Sequence, residues 1–158
     1  MSIDDLNDMP DWDFERNRDE DEEGEEWKNK PKQDKAQALY NQGKQVYVCT
    51  KAFCESLTGE MADITKSLIM QNALMICPKI AGAEAGDSYI IRMENASVIR
   101  TNCKELMVQV RFAELSDQCN KEYEKVVSNE MEKFRLLFID WVSLFEKDEF
   151  EDEWGLYL

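Results

Sequence analysis

The sequence predicts an all-α protein, an antiparallel up-and-down four-helix bundle with a disordered acidic N-terminal tail. Three observations predict it. Apolar residues recur at steps of three and four over long stretches, the period of a helix with one buried face; Tyr123, Val127, Met131, Phe134, Phe138, Trp141 and Phe145 show it most cleanly. Breaks at Thr58-Gly59, Gly82 to Ser88 and Ser116-Asp117 separate these stretches by short connections, and short connections make neighbouring helices antiparallel. Finally, Leu68 to Cys77 is apolar almost all round. Such a segment must be covered from several sides, either as the centre of a bundle or as part of an oligomer interface.

Residues 1–33 are dense in Asp and Glu, carry Pro10, Pro31 and Gly24, and have few aliphatic side chains. They cannot bury enough apolar surface to offset their ordering entropy, so they are expected to be a disordered tail. Trp12 and Phe14 lie in Asp-Trp-Asp-Phe-Glu and Trp27 follows Glu25-Glu26, an acidic–aromatic alternation found in short interaction segments. The plainer alternative is a solubilising tail whose aromatics touch nothing specific.

The bundle spans residues 34–147. A first helix runs from about Asp34 to Leu57, with Leu39, Val46, Thr50, Phe53 and Leu57 in one stripe and Tyr40, Tyr47 and Cys54 beside it. The second covers about Glu60 to Ala83, with Met61, Ile64, Leu68, Ile76 and Ile80 facing inward. Pro78 should bend or break it, because proline removes a backbone donor. Asp87-Ser88 caps a third helix, about Ser88 to Leu115, whose buried candidates include Ile91, Met93, Val98, Ile99, Leu106, Val110 and Ala113. Ser116-Asp117 caps the fourth, about Asp117 to Lys147, where Val126, Leu137 and Leu144 form a line beside the main stripe. Residues 148–158 form an acidic–aromatic C-terminal tail; Trp154, Tyr157 and Leu158 dock on the same bundle, on a neighbouring subunit, or on a partner.

The chain has 158 residues, 34 acids, 19 bases and a net charge of −15. Residues 1–34 hold 14 acids and 5 bases, so −9 of that charge lies in the tail and −6 in the remainder. A nucleic-acid binder normally shows a basic footprint, which lowers that expectation without removing it. There is no histidine, hence neither the commonest general base nor the commonest imidazole ligand. No metal site, cofactor or catalytic residue is expected. The five cysteines (Cys49, Cys54, Cys77, Cys103 and Cys119) include no Cys-x-x-Cys pair and read as reduced, small apolar side chains. Met1 to Met9 has three Asp and no apolar run, so no leader is expected, and the longest apolar run is too short to span a membrane. The expected setting is cytoplasmic. Gln71 and Asn72 in the second helix, with Glu94 and Asn95 in the third, are candidates for a polar network that sets helix register.

The stretch from Ala73 to Ala83 (Ala-Leu-Met-Ile-Cys-Pro-Lys-Ile-Ala-Gly-Ala), with Tyr89, Met93-Glu-Asn-Ala96, Leu106 and Gln109, resembles the 23S rRNA intervening-sequence protein family, whose relatives include the accessory variability proteins of diversity-generating retroelements. Ile76, Ile80 and Ala81 match the family's spacing, and Glu132 to Leu144 is similar to its last helix. The likeness covers about half the chain. Pro78 stands one position later than the family's proline, Lys79 replaces its Asn, and Gly82-Ala83 its Glu-Gly. The resemblance implies a four-helix bundle that assembles as a ring, often a pentamer. Its retroelement members bind nucleic acid together with a reverse transcriptase; the acidity of this chain argues against carrying that activity over.

The expected function is therefore a non-enzymatic homo-oligomeric scaffold or adaptor with an unidentified protein partner. Leu68, Ile69, Met70, Leu74 and Met75 are the candidate interface; Trp12, Phe14, Trp27, Trp154 and Tyr157 are the candidate partner-binding residues of the tails. An alternative is a nucleic-acid-associated bundle, which needs Lys66, Lys79, Arg92, Arg100 and Lys104 to converge on one surface. A further alternative is an acidic mimic that occupies a basic groove on another protein through residues 1–33. An enzyme is the weakest reading.

Overall fold

The computed structural model describes residues 9–12 and 26–157. It is all-helical, with α1 at Glu26–Glu55, α2 at Ala62–Glu84, α3 at Tyr89–Leu115 and α4 at Lys121–Val142. No strand occurs among the described residues. Helix α1 packs on α2 and α4, and α2 packs on α3; of the neighbouring pairs, α3 and α4 touch least. The first and third connections meet at one end of the bundle, where the Thr58 amide donates to the Gln118 carbonyl at 2.9 Å.

The first helix already includes Glu26, ahead of the expected Asp34, and continues through Pro31, which removes a single backbone donor. Met9 to Trp12, placed by sequence in a disordered tail, rest on α1. Met9 is buried, Trp12 is partly buried against the core, the Tyr40 hydroxyl donates to the Pro10 carbonyl at 2.8 Å, and Lys44 pairs with Asp11. The buried face of α1 holds Leu39, Val46, Thr50 and Phe53, with Tyr40, Tyr47 and Cys54 along its edge; Leu57 lies beyond the helix end and is partly buried.

Helix α2 runs unbroken through Pro78 to Glu84. Its inward line is Ile69, Ala73, Ile76 and Ile80, all 0% exposed, flanked by Thr65, Cys77 and Ala83. Met61, Ile64 and Leu68, expected inside, are exposed. A segment apolar all round carries no contrast between faces, so its period cannot decide which face turns inward. Helix α3 is capped as expected: the Ser88 hydroxyl accepts from the Ile91 amide at 3.5 Å. Ile99, Leu106, Val110 and Ala113 are buried, whereas Ile91 is exposed.

The fourth helix departs from expectation at both ends. Ser116-Asp117 ends α3 instead of starting α4: Asp117 takes φ 57°, and the Gln118 amide donates back to Ala113 at 2.9 Å. Helix α4 then starts after Asn120 and stops at Val142, short of Lys147. Val127, Met131, Phe134 and Trp141 face the core, while Tyr123 and Val126 are exposed. Trp141 is the keystone of the far end of the bundle. Its indole donates to the Glu84 carboxylate at 2.7 Å, and Phe145 packs edge-on against its ring at 4.7 Å. Arg92 lies 3.8 Å from Glu84 and 5.7 Å from the Phe145 ring centre, which ties the α2–α3 connection to the end of α4.

Candidate interaction interface

Burying Ile69, Ala73, Ile76 and Ile80 turns the opposite flank of the apolar segment outward. Met61, Ile64, Leu68 and Met75 follow one another at helical spacing and are all exposed, Ile64 at 60%. Two polar contacts mark the register with α3. Asn72 donates to the Gln109 side chain at 3.0 Å, and Gly82 lets Asn95 approach, since a Cβ there would lie 3.3 Å from its Oδ1. Because the two helices are antiparallel, the Asn72–Gln109 contact brings Leu68 level with Phe112 and Ile64 level with Leu115. Phe112 is 50% exposed, Leu115 79%, and Val108 lies on the same outward side of α3. The outer face of α2 and the C-terminal half of α3 thus form one surface with an apolar stripe on each helix.

Of the five expected interface residues, Leu68, Leu74 and Met75 are exposed. Ile69 is not: it is fully buried in the bundle core, and Met70 is partly buried against that core. Leu74 also stands on the other flank of α2, away from Leu68 and Met75, by the helical period. Sequence reasoning placed Met61 and Ile64 inside, in a segment whose period shows no contrast between faces, and assigned Phe112 and Leu115 to neither core nor surface. The expected polar network reduces to the Asn72–Gln109 bond and the Asn95 contact with Gly82; Gln71 and Glu94 are exposed.

The tail residues have different fates. Trp12 packs on the bundle, Phe14 and the side chain of Trp27 lie outside the described residues, and Trp154 is 89% exposed. The Tyr157 hydroxyl bonds Ser97 on α3 at 2.9 Å. That segment is shaped by Asp152, whose carboxylate accepts from the amides of Trp154, Leu156 and Tyr157; these bonds hold its pKa below the usual carboxylate value.

Between α3 and α4, where the bundle is least tightly closed, lies a groove of about 580 Å³. Its floor is apolar, with Cys103, Met107, Met131, Phe134 and Phe138, and Arg100, Lys104 and Arg111 stand along its α3 wall. The five cations considered for nucleic-acid contact do not gather in one place. Arg100 and Lys104 share this groove, whereas Arg92 is engaged with Glu84 and Asp87 and Lys66 acts on Cys54 at the α1–α2 side.

All five cysteines are free. Burial raises every one of their pKa values, pushing Cys54, Cys77 and Cys103 up to about 12. At neutral pH these thiols are therefore protonated and weakly nucleophilic. Among the described residues no group of three or more Cys, Asp or Glu is placed to hold a metal ion, and no helix is long and apolar enough to cross a membrane. No family model matches the chain, and no curated protein or solved structure is significantly similar to it.

Proposed function

We propose that this chain is a non-enzymatic, self-associating helical bundle that serves as a scaffold for protein contacts, with the outer face of α2 and α3 as the contact between copies. The observation that supports this most directly is the row of exposed apolar side chains on α2, level with Phe112 and Leu115 on α3. Contiguous exposed apolar surface of this kind is characteristic of interaction sites, because leaving it in water forgoes the free energy of burial, about 25 cal/mol per Å². The resemblance to a ring-forming bundle family favours a closed ring over an open chain of subunits. The absence of histidine and the protonated thiols leave few groups suited to acid–base or nucleophilic work. Free thiols also suit a reducing compartment such as the cytoplasm.

The test is light scattering of the full chain over a wide concentration range, beside the double variant Leu68→Glu/Phe112→Glu. Both positions are exposed in the single chain, so the variant should keep its helicity and melting behaviour while its mass falls below that of the parent chain. A wild-type chain that stays monomeric at the highest concentration overturns the proposal.

A further inference from the structure

The α3–α4 groove is chemically at odds with the rest of the molecule. The chain carries a net charge of −15, yet the residues lining this groove include four cations, Arg100, Lys104, Arg111 and Arg135, and one acid, Glu132. Arg135 is occupied by Glu132 at 2.6 Å, and Arg111 reaches Glu124 at 4.0 Å. Arg100 and Lys104 form no ion pair among the described residues. Arg100, Lys104 and Arg111 fall at i, i+4 and i+11, which an α-helix places within about 40° of one another. They form a cationic rail beside an apolar floor. From Ile99 to Arg111 the groove extends roughly 18 Å at about 1.5 Å per residue, too long for a ligand with a single anionic group to engage every cation.

The matching chemistry stands on the same chain. Residues 148–158 contain five acids and no base, and their Phe150, Trp154 and Leu156 are 75–89% exposed. The segment is anchored beside the groove's end: Asp148 accepts from the Tyr89 amide at 2.9 Å, and Tyr157 bonds Ser97. Both anchors hold it at the N-terminal part of α3, close to the Ile99 end of the groove, and its Phe150 and Trp154 face solvent. Two copies meeting groove to groove about a twofold axis would present each segment to the other's groove, a self-complementary contact. We propose that the α3–α4 groove receives the acidic C-terminal segment of a second copy of this chain, with Phe150 and Trp154 on the apolar floor and carboxylates along Arg100, Lys104 and Arg111. This contact shares only Val108 with the α2–α3 surface and does not depend on it.

The test is a fluorescence-anisotropy titration of a labelled peptide of residues 146–158 with the full chain carrying Leu68→Glu/Phe112→Glu and Phe150→Ala/Trp154→Ala, which removes association through α2 and α3 and keeps the chain's own segment out of the groove; all four side chains are exposed. Saturable binding is expected, weaker by at least about tenfold when salt is raised from roughly 50 to 500 mM, because exposed ion pairs are screened. Arg100→Glu/Lys104→Glu should weaken it by at least about tenfold as well, in line with the loss of two charge contacts. These two side chains are exposed, so the fold is kept. A peptide with Phe150→Ala/Trp154→Ala should lose binding without any change to the protein. No binding at a protein concentration of about 1 mM, or binding indifferent to the Arg100/Lys104 reversal, overturns the proposal. A peptide of residues 10–27 that binds in the groove in preference to residues 146–158 also overturns it, by giving the site to the other acidic segment.

Discussion

Gly43 lies where α1, α2 and α4 converge: a Cβ there would sit 2.9 Å from Cys77 Sγ and 3.4 Å from Phe134. Alanine is the better helix former by about 1 kcal/mol, so Gly43→Ala ought to stabilise α1 on propensity alone. Close packing reverses the sign, and we expect a net loss of about 1–3 kcal/mol in urea unfolding. In a Cys77→Ala background the clashing sulfur is gone, and the cost of Gly43→Ala should shrink by at least about 0.5 kcal/mol. Equal costs in both backgrounds would show that the contact with Cys77 is not the cause. Nothing in the sequence singled out Gly43, because close approach of three helices is a property of their arrangement. Thr50, by contrast, was assigned to the core stripe by spacing and is fully buried, with no hydrogen-bond partner for its hydroxyl among the described residues.

At the scale of the element, the helix ends divide into two kinds. Ser88 was legible because a side-chain cap is a local chemical event between residues three apart. Asp117 was misread as a cap because Ser-Asp suits a helix start, while its role here is to turn the chain through the left-handed region at the end of α3. That conformation favours glycine, so Asp117→Gly should raise stability by about 1 kcal/mol, seen as a higher urea midpoint with an unchanged slope. A lower midpoint would mean that the aspartate side chain makes a contribution larger than its backbone strain. Helix α2 shows the limit of periodicity. Its length and helicity followed from the sequence, but the rotation that buries Ile69 and exposes Ile64 and Leu68 comes from its neighbours α1 and α3. Of the proposed contact surface, Leu68 and Met75 were therefore identified, and Met61, Ile64, Phe112 and Leu115 were not.

Across the whole molecule, the thiols give stability a distinctive dependence on pH. Cys54 and Cys77 are buried and Cys103 is partly buried, and desolvation pushes their pKa values from about 9 to about 12. Below pH 9 both folded and unfolded chains keep these protons, so the thiols' contribution is fully present. Between about 9 and 12 the unfolded chain releases protons that the folded chain retains, and stability falls as pH rises. Tyr40, raised by burial in the same way, adds in the same direction. Thermal melts of Cys54→Ala/Cys77→Ala/Cys103→Ala should therefore decline less steeply over this window than those of the parent chain, whatever the difference in their absolute midpoints. Parallel declines would show that the thiols are not the groups responsible.

By itself the sequence determined the helical class, four helices in order, the approximate places of the three connections, the capping of α3, and most of the buried face of α1 and α4. These follow from local period and short-range turn chemistry. Tertiary structure decided what local pattern leaves degenerate. It chose the face of α2 that turns inward, drew Met9 to Trp12 onto α1, closed the end of the bundle through Trp141 and Glu84, and left α3 and α4 apart with a cationic groove between them. Each of these depends on contacts between residues far apart in the chain. An apolar or charged side chain carries no local mark of which distant surface it will meet.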